Sequence, residues 1–377
     1  MIAAVPIASA SAVKLKTVTV GTDPASVAVN SATGNVYVVD AGDNNVTVLN
    51  SAGLVVHTIT VGLEPTAVAV NNGTNTVYVL NNAYNNMSVI NGATNAIVAN
   101  VTTGSSPVAV AVDPTTGTVY VANDGDNRVT VIDGSTNKWM ANVTVGTSPS
   151  AIAVNPSSHA VYVANAADNT VSVINNNVVT ANVTTGNDPK AVAYDPVNNE
   201  IYVANFNDNT VSVYDAISFL SIANITTVGL SPDALVADAL GNVWVANSGS
   251  DTVSIINTQN TVVANVTLGA LGTKVPDGIS VNPSNGAVYV ANSNDNTVGI
   301  ITGYSSTTQS SSPTSTVSTP PTGTTSTPTS STTPTSSSGG GVPEFPFEAV
   351  GVVLLTLLVI VGYVVVRQSP SLRGKSS

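Results

Sequence analysis

Between residues 13 and 303, the groups able to move a proton or hold a cation are nineteen carboxylates and two histidines. Asp23, Glu64, Asp188 and Asp277 stand beside Gly-x-x-Pro turns, and Asp43, Asp124, Asp126, Asp168, Asp208, Asp251 and Asp295 fall in a second set of turns. Carboxylates gathered on one face can draw cations or basic partners. His57 and His159 lie in different stretches without evident partners, so neither is set up as a metal ligand or general base. The absence of cysteine removes disulfides, thiol nucleophiles and Cys-based metal sites. No Gly-x-Ser-x-Gly, Walker loop or His-Glu-x-x-His occurs. Six basic residues against nineteen acidic ones give this span a net charge of −13, which argues against nucleic acid and anionic membrane surfaces as ligands.

What must position these turns is a segment of roughly 42 residues that repeats seven times, opening at Gly21, Gly62, Gly104, Gly146, Gly186, Gly229 and Gly272. One copy runs from Gly104 through Ala109-Val110-Ala111-Val112, Val119-Tyr120-Val121-Ala122-Asn123 and Val129-Thr130-Val131-Ile132 to Ala141-Asn142-Val143-Thr144-Val145. Four short alternating strands per copy, labelled A to D, and no helical period predict an all-β, seven-bladed propeller. Small residues on strand A suit the crowded axis, and one aromatic per strand B (Tyr37, Tyr78, Tyr120, Tyr162, Tyr202, Trp244, Tyr289) suits packing between blades. Asp-Asn-Thr-Val at the B–C connection fits a turn held by Asx bonds. Copy seven lacks a fourth strand, and Lys14–Val20 matches one, so the N-terminal strand is expected to close the ring.

Val-Tyr-Val-Ala-Asn within this Gly-x-x-Pro and Asp-Asn-Thr-Val framework resembles the YVTN-type beta-propeller repeat of archaeal surface-layer and related extracellular proteins. The resemblance covers about residues 13–303, with Ala122, Ala164, Ala204, Ala246 and Ala291 where the family name has Thr. It implies the propeller; the family is functionally mixed, so it implies no one activity.

The remainder divides into a possible signal-peptide remnant at 1–12, ending in Ala10-Ser11-Ala12, a Ser/Thr/Pro-rich stalk at 304–342, and a segment at 343–377. Pro343-Glu344-Phe345-Pro346 resembles the PEF-type sorting motif of archaeal surface proteins. Ala349–Val366 is long and apolar enough to be one transmembrane helix, and Arg367, Arg373 and Lys375 after it place the C-terminus in the cytoplasm and the propeller outside. Asn45, Asn72, Asn86, Asn100, Asn142, Asn182, Asn224 and Asn265 are sequons, candidate glycosylation sites if the propeller is extracellular.

Residues common to all copies are scaffold, so a site is expected where a copy departs. The D–A and B–C connections converge around a central opening, where Asp23, Glu64, Tyr84, Asp188, Phe206, Lys274 and Asp277 are the candidate ligand-binding residues. The leading expectation is a cell-surface, non-catalytic propeller, without cofactor or metal, presenting this face to a protein, glycan or envelope component. One alternative is an extracellular lactonase- or lyase-type propeller enzyme dependent on a divalent cation. For it, Asp233 and Asp277 come closest to a non-repeating pair on strand A. The other alternative is a structural surface-layer component whose partner is itself.

Overall fold

The structure is a computed structural model that describes residues 13–304. It contains seven four-stranded antiparallel sheets. The innermost strands are Pro24–Val29, Pro65–Asn71, Pro107–Val112, Pro149–Val154, Pro189–Asp195, Pro232–Ala237 and Pro276–Val281. The expected closure holds. In blade seven, Pro276–Val281, Val288–Asn292 and Thr297–Thr302 are followed in space by Lys14–Thr19, which pairs with Thr297–Thr302. Six blades carry a bulge between strands C and D, whereas this closing pair runs in unbroken register. The segments at 1–12 and 305–377, including the expected stalk and anchor, lie outside the described residues. No helix among the described residues is long and apolar enough to cross a membrane.

The hydrophobic interior falls into seven clusters, one between each pair of neighbouring blades. Tyr37 packs with Val68, Val77 and Val79 of the following blade, and Tyr289 of blade seven with Val27 and Val29 of blade one. The strand B aromatics are therefore mortar between sheets. Tyr37 and Tyr78 also donate their hydroxyls to the Gly92 and Gly134 carbonyls of the next blade, each at 3.4 Å.

A second device joins the blades on the face of the D–A and B–C connections. The residue before strand C is left-handed in every blade: Asn44, Asn85, Asn127, Asn169, Asn209, Asp251 and Asn296, with φ from 51° to 60°. Asparagine and aspartate tolerate that conformation better than other side chains with a Cβ. Each side-chain oxygen accepts the backbone N–H of the residue before the strand A proline in the next blade, at 2.7–3.0 Å. The bond from Asp23 to Asn296 carries the series across the point of closure.

The opening glycines are a matter of space. A Cβ on Gly62 would meet the buried Asn81 side chain at 2.6 Å, and one on Gly21 would meet Asp40 at the same distance. Copy seven differs from the sequence expectation. The Leu268 N–H donates to the Asp251 carbonyl at 2.9 Å, as Val145 does to Asn127 at 3.1 Å, so the equivalent glycine is Gly269. Gly272 sits at φ 76° in a longer turn. Asp251 accommodates that turn by accepting from both Thr273 and Val275, each at 2.8 Å.

Asn296→Ala removes the closing acceptor and the residue that tolerates its backbone. It is expected to cost about 1–2 kcal/mol in denaturant unfolding; an unchanged midpoint would show that apolar packing alone closes the ring. Asp40, buried where the other blades have asparagine, is pushed up to about 6 by burial, against the Thr47 hydroxyl bond at 2.6 Å. A carboxyl raised in the folded state stabilises below its unfolded value of 3.8, and that contribution is lost as pH rises through about 6. Asp40→Asn should therefore add about 2–3 kcal/mol at pH 7, and nothing comparable at pH 3.5, as read from melting curves at the two pH values.

Candidate active site

Strand A begins irregularly in every blade. After its proline the register with strand B shifts, leaving the next residue as a bulge. Bulges re-aim side chains. The seven bulge residues, Ala25, Thr66, Val108, Ser150, Lys190, Asp233 and Asp277, form a ring around the axis with no consensus residue, six types over seven positions. Their reach is toward the next blade. Thr66 donates to the Pro107 carbonyl at 3.0 Å and Ser150 to the Pro189 carbonyl at 2.6 Å. Asp233 of blade six accordingly meets Asp277 of blade seven, close enough for each carboxyl to perturb the other's ionisation.

These two acids border a cavity of about 960 Å³ lined from blades three to seven by Val108, Asp124, Ser150, Asn187, Asp188, Lys190, Asp208 and others. Burial raises both carboxyls. Asp233 reaches about 7, through burial first and the adjacent Asp277 charge second, with Lys190 opposing. Asp277 is raised chiefly by burial, opposed by hydrogen bonds from Ser293 and Asp233, while Asp23 adds like charge. Two carboxyls this close cannot both ionise cheaply, so the pair holds a proton above the ordinary carboxylate range. Such a pair offers a general acid and a general base at one point.

Lys190 is the one cation lining this cavity among the described residues. Its ammonium lies 3.1 Å from Asp188 and 5.9 Å from the centre of the Phe206 ring. No group of three or more His, Cys, Asp or Glu side chains converges as metal ligands among the described residues. The Lys190 ammonium beside the two carboxyls also opposes a divalent ion there. The residues do not fit the cation expected for a lactonase-type propeller.

Of the candidates read from sequence, Asp188 and Asp277 line the cavity and Phe206 lies beneath Lys190. Asp23 neighbours Asp277 electrostatically. Glu64 is exposed and does not line the cavity, and Tyr84 borders a separate, smaller cleft with Ile97 and Asn100. Lys274 pairs with Asp295 in its own blade. Asp23, Glu64 and Asp188 also share a conformational role: with Ser106, Ser148, Ser231 and Val275 they hold φ of 48–55° before the proline. Many acidic turns are similarly structural. Asp43, Asp168 and Asp208 accept the N–H of Thr22, Thr147 and Asn187 at 2.7–2.8 Å. Lys190 and Ser150 were missed as site residues, and Asp233 was left out of the candidate set. Aligning the copies on the residue after Gly-x-x-Pro would have found all three. The histidines are elsewhere. His57 is exposed on the outer strand Val55–Thr60, and His159, bonded to Asp113 at 2.8 Å, lies in an A–B connection on the opposite face. The sequons Asn100, Asn142, Asn182, Asn224 and Asn265 are exposed on outermost strands.

Residues 142–274 match the family model described as SMP-30/Gluconolactonase/LRE-like region. Solved structures with the same fold include virginiamycin B lyase from Staphylococcus aureus, in a catalytically inactive histidine-to-alanine variant with quinupristin. It is 17% identical, with 77% of this chain and 99% of that chain covered and a TM-score of 0.68. A streptogramin B lyase is 14% identical, with 77% and 97% covered and a TM-score of 0.67. Hydrazine synthase of Kuenenia stuttgartiensis is 17% identical, with 74% and 96% covered and a TM-score of 0.66. No curated protein matches the chain. At these identities the structural likeness concerns the fold. The match to a lactonase family model, joined to the paired carboxyls, overturns the expectation that this propeller is not an enzyme.

Because Asp233 is raised, its protonated form is the one the fold favours. Its contribution is present below its ordinary value of 3.8 and is lost as pH rises through about 7. Asp233→Asn should therefore raise the melting temperature at pH 8 and leave it little changed at pH 4. Equal shifts at both pH values would show that the two acids are not coupled.

Proposed function

We propose that the protein is a lactonase-type hydrolase that opens an ester or lactone at the mouth of the propeller, with Asp233 and Asp277 as its acid–base pair. The observation that carries this reading is the pair of facing, half-buried carboxyls, both raised, that line a cavity large enough for a small molecule. The match of residues 142–274 to a lactonase family model supports the substrate class.

The ionised carboxyl takes a proton from water as the water oxygen bonds to the acyl carbon, and the carbonyl π pair moves onto oxygen. The tetrahedral adduct then re-forms its carbonyl and expels the alkoxide, which takes the proton of the second carboxyl. Ester and water become acid and alcohol, and the pair ends with one proton, as it began. No step runs through a metal ion. Elimination is the class of the two lyases among the similar structures, but it finds no histidine on this face. The extracellular, membrane-tethered placement and the kinship with YVTN-type surface proteins, both read from sequence, belong to the same proposal. They would put the substrate outside the cell.

The test is turnover by the full-length chain on a panel of lactones and aryl esters in ¹⁸O-water. Hydrolysis should place one solvent oxygen in the carboxylate product, with a bell-shaped pH profile whose alkaline limb falls near 7. Asp233→Asn and Asp277→Asn should each lower kcat by about 10²-fold or more. Turnover that survives both replacements, or no turnover on any member of the panel, would overturn the reading.

A further inference from the structure

We propose that Lys190 is the substrate anchor of this site, its ammonium donating to the ester carbonyl oxygen and holding the acyl carbon against the Asp233–Asp277 pair. The inference rests on the hydrolytic reading and adds to it the group that receives the developing negative charge.

Elimination around the ring of bulge residues carries the argument. Ala25 and Val108 have no polar side-chain atom. Thr66 and Ser150 spend their hydroxyl protons on the Pro107 and Pro189 carbonyls. Asp233 and Asp277 are acids that the proposed reaction already employs. Lys190 alone keeps donors to spare: an ammonium has three N–H bonds, and one of them serves Asp188 at 3.1 Å. Its place is defined from two sides, by the Asp188 carboxylate and by the face of Phe206 at 5.9 Å. It is also close enough to Asp233 to favour that group's ionised form. A cation held in place beside the acid–base pair is the arrangement that stabilises an oxyanion without reorganising during the reaction. Lys274, the other basic residue of the D–A turns, is committed to Asp295 and lies outside the cavity. The surrounding Asp124, Asp188 and Asp208 make the cavity unfavourable for a substrate carrying a full negative charge anywhere but at Lys190. The substrate class is therefore an uncharged or amine-bearing ester or lactone whose carbonyl meets the single cation.

The test uses the full-length chain as wild type, Lys190→Met and Lys190→Arg, in two assays. The first is steady-state hydrolysis of the best ester from the panel. The second is calorimetric binding of methyl phenylphosphonate, a tetrahedral monoanion that mimics the adduct and is not turned over. Lys190→Met should lower kcat at least tenfold with little change in KM, move the alkaline limb of the pH profile upward, and weaken phosphonate binding at least tenfold. Lys190→Arg should recover most of the binding. Turnover by the wild type together with undiminished kcat in Lys190→Met overturns the anchor and leaves the hydrolase standing. Phosphonate binding that needs Lys190, in a protein that hydrolyses nothing, supports the anchor and removes the hydrolase. Phosphonate that binds wild type and Lys190→Met equally, or binds neither, overturns the anchor.

Discussion

A left-handed asparagine that reaches from one blade to the first turn of the next is the contact on which the ring depends. Apolar packing between sheets supplies the greater part of the cohesion, but it is non-directional and would tolerate sliding. The oxygen of Asn127 on the Ser148 N–H, repeated six more times with one aspartate, fixes how far each sheet is advanced relative to its neighbour. Asp251 shows the device adapting: a carboxylate with two acceptor oxygens holds two N–H groups of a longer turn where an amide could hold one.

That arrangement leaves the mouth free to vary. The bond between blades joins the Asn or Asp side chain before strand C to the backbone N–H before the proline, so the bulge side chain after each proline carries no duty common to all blades. The result is an uneven ring. Blades one and three present Ala25 and Val108, and blades two and four spend their hydroxyls on the neighbouring sheet. Blades five to seven present Lys190, Asp233 and Asp277. The chemistry is concentrated on the side next to the longest D–A turn. Val275, a β-branched residue at φ 48°, stands two residues before Asp277. That conformation is costly for valine and is retained beside the acid pair.

Repetition made the architecture legible. Seven copies average out local ambiguity, so strand order, the aromatic mortar and the closing role of Lys14–Thr19 could all be read before any coordinate. The same repetition hid part of the site. Conspicuous charges in the turns mislead, because Asp23, Glu64 and Asp188 answer to a left-handed turn as much as to a ligand. Asp233 and Lys190 sit one residue beyond the proline, at the bulge that turns a side chain into the opening. A bulge leaves no mark on hydrophobic alternation in strands this short. The protonation of the pair was equally out of reach, since it depends on burial at a junction between two blades.

The closing strand also dictates when the molecule can finish folding. Lys14–Thr19 is among the first described segments to be synthesised, and its partner Thr297–Thr302, roughly 280 residues later, is the last of the described strands. Blades one to six can form in order as they emerge, each resting on the one before, yet the array stays open-ended until the final strand appears. Throughout that interval Lys14–Thr19 is a strand without its partner. Nascent chains in proximity could then exchange N-terminal strands, so the hazard peculiar to this fold falls during synthesis and passes once the ring has closed.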